Sequence, residues 1–257
     1  MRRRFGVARL LLASLGITSL IGYFIYTLGV QSFSMSNFFA YFTVQSAIAA
    51  VLVLLTAAVI ALRRPEDPAW LDMARAMITT YVLVSGVVYA LIVVQASSAH
   101  YAIGVPWSSQ LLHFWIPSLA LLDWIVDPFK ARVPWRYLGW VIVFPIIWLV
   151  FTLVRGPIVG WYPYFFLDSR QVSGPAETIF YCAIIVGIIT GIAALLIALT
   201  RIKRMPRHLQ APWASAKNTH ALPAPVSQPA DPLPESDTDE SALRLFGGAE
   251  RLEGVQG

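Results

Sequence analysis

Long apolar runs separated by short polar segments fill the first two hundred residues of the chain. An α-helix needs about 20 predominantly apolar residues to cross the hydrocarbon core of a bilayer, and the runs reach that length. The pattern predicts six membrane-spanning helices, at about 7–29, 38–62, 75–96, 109–127, 136–154 and 177–200. The expected fold class is therefore an all-α membrane protein with six transmembrane helices.

Composition supports a multi-pass protein of the cell membrane. The chain is 57% hydrophobic and 13% charged, whereas about a quarter of the residues in a soluble domain are charged. The single cysteine, Cys182, excludes an internal disulfide and a cysteine-based metal site. We therefore expect no metal and no cofactor. The net charge of +5 does not indicate nucleic acid, because the basic residues gather at the ends of the apolar runs, where lipid headgroups lie.

Lysine and arginine are unevenly divided between the two sides of the predicted bundle. One side has only Arg155 and Arg170. The other has fourteen basic residues: Arg2, Arg3, Arg4, Arg9, Arg63, Arg64, Arg75, Lys130, Arg132, Arg136, Arg201, Lys203, Arg204 and Arg207. The positive-inside rule then predicts that both termini are cytoplasmic and that the loop at 155–176 lies outside.

The chain changes character after the sixth apolar run. Seven prolines are interleaved with Ser, Ala, Asp and Glu between residues 206 and 234, and apolar periodicity disappears. Such a segment buries too little apolar surface to offset its chain entropy. The predicted organisation is a six-helix transmembrane domain at 1–204 and a disordered, Pro-rich cytoplasmic tail at 205–257.

The second predicted helix opens with polar side chains, in the stretch "NFFAYFTVQS". Asn37 suits a helix N-cap and Tyr41 an interfacial aromatic belt. Thr43 has two interpretations: its hydroxyl bonds back to the carbonyl of Phe39, or it faces a polar cavity. Gln45 needs several hydrogen-bond partners, so we expect it to face protein.

The fourth predicted helix carries the only histidine inside an apolar run, His113. It enters from the same side as Thr43 and reaches a similar depth. An imidazole that accepts the proton of a hydroxyl makes that hydroxyl a nucleophile, although a buried neutral histidine is the other interpretation. Pro117 predicts an irregular backbone around His113. Asp123 lies about 15 Å further along the helix, so it is expected to anchor the basic loop at 130–132 instead.

The segment between the last two helices, "RGPIVGWYPYFFLDSRQ", has the make-up of a lid over the neighbouring helix ends. It contains three interfacial aromatic residues and three charges, namely Trp161, Tyr162, Tyr164, Arg155, Asp168 and Arg170. We expect Asp168 to accept a bond from His113 and Arg155 to hold a carboxylate. The alternative is an interfacial aromatic belt with a solvated salt bridge.

The stretches "NFFAYFTVQS", "LLHFWIPSLALLDWIVDPFKAR" and "GWYPYFFLD" in six helices resemble the bacterial Pr-six-Pr family of integral membrane proteins. More distantly, the layout is similar to the eukaryotic androgen-induced (FAR-17a) family of six-helix membrane hydrolases. That resemblance implies a catalytic threonine and histidine that cleave esters of hydroxy fatty acids. Thr43 looks like the threonine and His113 like the histidine.

The leading hypothesis is a lipid-ester hydrolase in which Thr43 attacks a fatty-acyl carbonyl and His113 carries the proton. Ser46, one turn after Thr43, is better placed than Gln45 to donate to the oxyanion. The residues expected to contact the membrane-lipid substrate are Asn37, Gln45, Ser46, Arg155, Trp161, Tyr162 and Asp168. The alternative is a transporter or small-ligand-binding protein without catalysis. A haem protein is disfavoured because no second histidine lies in an apolar run.

Overall fold

A computed structural model of the chain describes residues 1–30, 33–98 and 105–202. Within these ranges every regular element is helical. The elements are α1 (Arg2–Leu28), α2 (Met35–Ala40), α3 (Phe42–Arg63), α4 (Ala69–Ser98), α5 (Trp107–Gln110), a π-helical turn (Leu111–Trp115), α6 (Ile116–Val126), α7 (Tyr137–Val159), a 3₁₀ turn (Phe165–Leu167) and α8 (Pro175–Ile202). The elements α5, the π-helical turn and α6 follow one another without a break and form a single long helix.

Six helical segments are long and apolar enough to cross a membrane, which confirms the predicted count. They are Arg2–Leu28, Phe42–Arg63, Ala69–Val94, Trp107–Val126, Tyr137–Val159 and Pro175–Ile202. The chain is accordingly an all-helical, multi-pass integral membrane protein. The tail predicted at 205–257 lies outside the described residues. We call the end of the bundle where α3 begins the loop end, and the end where α1 begins the N-terminal end.

Four predicted helix boundaries were wrong. The first span begins at Arg2 rather than at 7, and the fifth ends at Val159 rather than at 154, so Arg155 belongs to α7 and not to the loop after it. The second span is not continuous from 38, because Tyr41 is extended (φ −66°, ψ 132°) and separates α2 from α3. The third span begins at Ala69 rather than at 75, which places Arg75 inside the helix. The sequence pattern placed Arg75 in a loop because an isolated charge in hydrocarbon is costly. In the fold, however, its charge is compensated.

That compensation is a buried group of ion pairs, the ionic cluster, formed by Arg9, Asp72, Arg75, Asp123 and Asp127. Arg9 and Arg75 lie 2.6 and 2.7 Å from the same oxygen of Asp127. Both also pair with Asp123, and Arg75 additionally pairs with Asp72. The cluster joins α1, α4 and the end of α6. It corrects the expectation that Arg9 and Arg75 face lipid headgroups and that Asp123 anchors the loop at 130–132.

Small residues bring α1 and α3 close together. A Cβ on Gly16 would lie 2.8 Å from a methyl group of Val51, so any side chain there would force the helices apart. The facing surface of α3 is alanine-rich, with Ala47, Ala50, Ala57, Ala58 and Ala61 buried. Close backbone approach through small residues is the usual way in which helices associate in membranes, where lipid removes the hydrophobic driving force between them.

The apolar interior has two parts, and α4 contributes to both. The first part packs α1, α3, α4, the π-helical turn and α6 together, through residues that include Leu12, Ala47, Ile78, Leu112 and Ile116. The second packs α4 against α7, α8 and the 3₁₀ turn, through residues that include Tyr81, Val84, Val141, Phe166 and Ile189. Helix α4 is therefore a wall that the two parts share.

Helix α7 contains a proline that frees a backbone acceptor. Pro145 has no N–H to donate to the carbonyl of Val141, four residues earlier. The hydroxyl of Tyr81 donates to that carbonyl over 2.9 Å. A side chain of α4 thus satisfies the carbonyl that the proline leaves without its helical donor, and it ties α4 to α7.

Candidate functional site

The break between α2 and α3 places Thr43 in the interior. Tyr41 ends α2, and the indole nitrogen of Trp148 donates to the carbonyl of Ala40 beside the break. Thr43 is the second residue of α3 and is buried. N–H groups in the first turn of a helix have no acceptor within that helix, so this turn presents donors next to the threonine hydroxyl.

The hydroxyl of Thr43 contacts a second hydroxyl, that of Ser85 in α4, at 2.7 Å. Tyr164 lies on the other side of Thr43. Burial raises the pKa of Tyr164 to about 12, while hydrogen bonds with the side chain and backbone of Thr43 act in the opposite direction. Thr43, Ser85 and Tyr164 therefore form a group of three hydroxyls, which we call the hydroxyl cluster. The alternative in which Thr43 bonds back to Phe39 is not what the structure shows.

His113 lies in the π-helical turn, where the sequence predicted an irregular backbone. Pro117 cannot donate to the carbonyl of His113, and the chain widens locally so that Ile116 donates to Leu111, five residues earlier. Turns of this kind occur frequently at functional sites. The turn packs against Gly86 of α4, where an added Cβ would lie 2.4 Å from the carbonyl oxygen of His113.

The imidazole of His113 is buried and held in one tautomer. Its Nδ1 lies 2.9 Å from the carbonyl oxygen of Ser109. Because a carbonyl only accepts, Nδ1 carries the proton and a neutral ring presents its lone pair at Nε2. The ring also stacks on Tyr89, with centroids 3.9 Å apart and planes inclined by 19°. A neutral imidazole with a free Nε2 lone pair has the form that a general base requires.

Thr43 and His113 contact the same region of α4. Ser85, the partner of Thr43, is one helical turn from Tyr89, on which His113 stacks, and residues four apart share a helix face. The two predicted catalytic residues thus contact α4 at positions one helical turn apart. Among the described residues, the hydroxyl of Thr43 bonds to Ser85 and makes no hydrogen bond with His113.

The segment 155–171, which we call the lid segment, contacts the start of α3 through aromatic side chains. The ring of Trp161 meets that of Tyr41 at 5.3 Å, nearly edge to face. Arg155 donates to the side chain of Asn37 over 2.6 Å and lies over the ring of Trp161 at 5.7 Å. Three of the predicted substrate-contacting residues, Asn37, Arg155 and Trp161, therefore meet at the loop end. Tyr162 packs against α7 at Gly156.

The structure does not give the remaining predicted residues their expected contacts. Asp168 binds Arg170 and Gln171 rather than His113, because partners two and three residues away reach it directly. Ser46 donates to the carbonyl of Thr43. Its proton is directed back at the helix instead of at a substrate oxyanion.

Two further predictions about the start of α3 need correction. Gln45 donates to the carbonyl of Phe39 at the partly exposed side of α3, rather than facing the interior. Asn37 is not an N-cap, because α2 begins earlier and its N-cap is Ser34.

Four neighbours of the predicted pair were missing from the sequence prediction of the site: Ser85, Tyr89, Ser109 and Tyr164. Ser85 and Tyr89 stand four residues apart in the third apolar run, and Ser109 and His113 have the same spacing in the fourth. Polar pairs at this spacing within spanning helices are the signal that could have identified them.

An apolar cavity adjoins the hydroxyl cluster. It lies between α4, α7, α8 and the lid segment, and both Ser85 and Tyr164 line it. His113 is not among the residues that line this cavity. In the described part of the chain, no three His, Cys, Asp or Glu side chains form a group that could hold a metal ion.

No protein-family model matches the chain, and neither a curated protein nor a solved structure is significantly similar to it. The class of the protein therefore rests on its own features. Fold and site together define a six-helix integral membrane protein with a buried hydroxyl cluster beside an apolar cavity.

Proposed function

We propose that the protein is a membrane-embedded hydrolase of fatty-acyl esters, in which Thr43 is the nucleophile and His113 the general base. The observation that carries the proposal is the position of Thr43. Its buried hydroxyl bonds to Ser85 in the wall of an apolar cavity, and Ser85 is one turn of α4 from Tyr89, on which the imidazole of His113 stacks. The resemblance to the androgen-induced family supports the same pair.

The reaction has two steps. The hydroxyl oxygen of Thr43 attacks the acyl carbonyl carbon, and its proton passes to Nε2 of His113. The tetrahedral oxyanion collapses to an acyl-threonine, and the leaving alcohol takes the proton from the imidazole. Water then attacks the acyl-threonine, again giving a proton to His113. Release of the fatty acid returns that proton to Thr43.

Residues around Thr43 supply the other requirements. The oxyanion needs preorganised donors, and the N–H groups in the first turn of α3 and the hydroxyl of Tyr164 are the nearest ones. Thr43 has to exchange its bond to Ser85 for one to His113 when substrate is present. Catalytic hydrogen bonds that form only in the substrate complex are common.

Residues at the loop end orient the polar part of the substrate in this proposal. Arg155 is bound there to neutral partners, Asn37 and Ser36, and Trp161 lies beside it. A guanidinium group whose partners are neutral side chains can still pair with an anionic group or donate to an ester oxygen. In the proposed enzyme, Arg155 and Asn37 hold the headgroup side of the ester.

A second candidate is a binding or transport protein without catalysis. One observation favours it: the cavity is not lined by His113, and the hydroxyl of Thr43 is already bound to Ser85. In that case the hydroxyl cluster would only recognise the polar end of an apolar ligand.

Labelling with a fluorophosphonate decides between the two candidates. The purified full-length protein in lipid nanodiscs should form an adduct at Thr43 and release fatty acid from a fluorogenic acyl ester. Thr43→Ala should abolish both signals, whereas Thr43→Ser, which keeps a hydroxyl, should retain labelling. Ser46→Ala is the matched control, because it removes a neighbouring hydroxyl that bonds only to the helix.

His113→Gln should retain the fold and lose labelling, since an amide cannot serve as a base. Thermal unfolding of each variant shows that a loss of signal is not a loss of fold. Absence of an adduct in the folded wild-type protein, together with no ester cleavage above the level of Thr43→Ala, would reject the hydrolase and leave the binding protein.

A further inference from the structure

The cavity beside the hydroxyl cluster is apolar over nearly all of its wall. Side chains of α4, α7 and α8 form it, among them Val88, Ile142, Leu149, Ile185 and Ile189. Such a wall gives no hydrogen bonds to a ligand and favours hydrocarbon, because burying apolar surface is its main source of affinity.

The hydroxyl groups of the cavity lie close together. Ser85 and Tyr164 are the hydroxyl-bearing residues of the lining, and both contact Thr43. The indole nitrogen of Trp148, which also lines the cavity, is already bound to the carbonyl of Ala40. The cavity therefore suits a ligand with one hydrogen-bonding group at the end of an apolar chain.

The opening of the cavity faces the outside of the bundle. Ile146 of α7 and Val186 of α8 line the cavity, yet they are 52% and 42% exposed. Both belong to the membrane-spanning parts of their helices, so the surface that they expose is in contact with hydrocarbon. A ligand that passes between them comes from the lipid and not from water.

We infer that the cavity binds a single acyl chain of a membrane lipid, which enters sideways between α7 and α8. Its carbonyl group reaches the hydroxyls of Ser85 and Tyr164, beside Thr43. This occupant rests on the proposed function, since it is the acyl part of the ester that Thr43 would attack. Binding itself needs no cleavage and can be measured separately.

The test uses a photoreactive probe, a long-chain methyl ketone with a diazirine in the chain, which keeps the carbonyl group and cannot be hydrolysed. Full-length protein in nanodiscs is irradiated with the probe, and the adducts are located by mass spectrometry. We expect adducts to concentrate on cavity-lining positions of α4, α7 and α8, and excess palmitoyl ester to compete with them.

A filled cavity supplies the second readout. Leu149→Trp places a large ring in the cavity and should lower the adduct yield about tenfold, because overpacked side chains exclude a chain of methylene groups. Ile147→Trp is the matched control on the same helix, since Ile147 is 62% exposed and does not line the cavity. Its yield should equal that of the wild type.

Three results would overturn the inference: adducts spread evenly over lipid-facing helix surfaces, equal yields from folded Leu149→Trp and Ile147→Trp, or stronger competition by an isoprenoid alcohol than by the palmitoyl ester. If Leu149→Trp does not fold, adduct positions in the wild type still decide. Cavity adducts in a protein that cleaves no ester would support the acyl site and reject the hydrolase.

Discussion

Gly86 is the residue at which α4 and the π-helical turn come closest, and Gly86→Ala tests both the fold and the site. The added Cβ would lie 2.4 Å from the carbonyl oxygen of His113, and ordinary contact begins at 3.4 Å. The atom in the way belongs to the backbone, so no rotamer change relieves the clash. The turn that carries His113 must therefore move by about 1 Å.

The energetic consequence follows from that displacement. Inserting a methyl group into a packed site costs about 1–3 kcal/mol, whereas replacing glycine by alanine inside a helix contributes about 1 kcal/mol in favour. We expect a net destabilisation of about 0–2 kcal/mol. A catalytic group misplaced by about 1 Å costs about 10²-fold in rate. Loss of ester cleavage should therefore greatly exceed the loss of stability.

The assay compares Gly86→Ala with Gly191→Ala, a glycine of α8 whose added Cβ would meet nothing within 4 Å. Unfolding free energies from SDS titration in mixed micelles and rates of ester cleavage are measured for both. The control should be as stable as the wild type or slightly more stable. Equal stability and equal rate of the two variants would refute the close approach between Gly86 and the π-helical turn.

Other parts of the fold lead to four further predictions. Asp127→Asn should cost about 1–3 kcal/mol by SDS titration, because it removes the carboxylate oxygen that Arg9 and Arg75 share, while Asp123 still pairs with both; no loss of stability would contradict the pairing. Burial raises the pKa of Asp127, but two guanidinium groups hold it below its ordinary 3.8. The ionised Asp127 therefore contributes its full stability above that pH, and the contribution is lost as the pH falls below it. Unfolding free energies measured between pH 6 and pH 3 would show the loss. Tyr81→Phe should cost about 1–3 kcal/mol because it leaves the carbonyl of Val141 without a donor. The same change should cost less in a Pro145→Ala background, where the helix again supplies a donor. Equal costs of Tyr81→Phe in the two backgrounds would rule out that explanation. Reporter fusions after residues 30 and 165 should both report the outside, opposite to the termini. Fusions that report the cytoplasmic side would show that the predicted orientation is wrong.

The membrane-spanning elements could be predicted because the bilayer dictates their length and composition. Each long apolar run of the chain became a spanning helix. The errors arose at charges whose compensation is distant in sequence. Arg9 and Asp127 are 118 positions apart, and no local pattern shows that they meet. The same pairing explains why Arg75 lies within α4 instead of before it.

The candidate site was predictable in its chemistry and not in its contacts. Thr43 and His113 stood out as polar groups in apolar runs, and their contacts on α4 are one helical turn apart. Ser85 did not stand out, because a serine or threonine in a spanning helix commonly bonds to its own backbone, as Thr80 does in the same helix. Asp168 was assigned to His113, although Arg170 lies two residues away and reaches it first.

The two sides of α4 differ in how closely they are packed, and this difference bears on how a ligand would reach Thr43. Where α4 meets the π-helical turn, Gly86 leaves no room for the turn to shift. Where α4 meets α7 and α8, the cavity wall includes lipid-exposed side chains of those two helices. An acyl chain that separates α7 from α8 would therefore leave the contact of His113 with α4 in place.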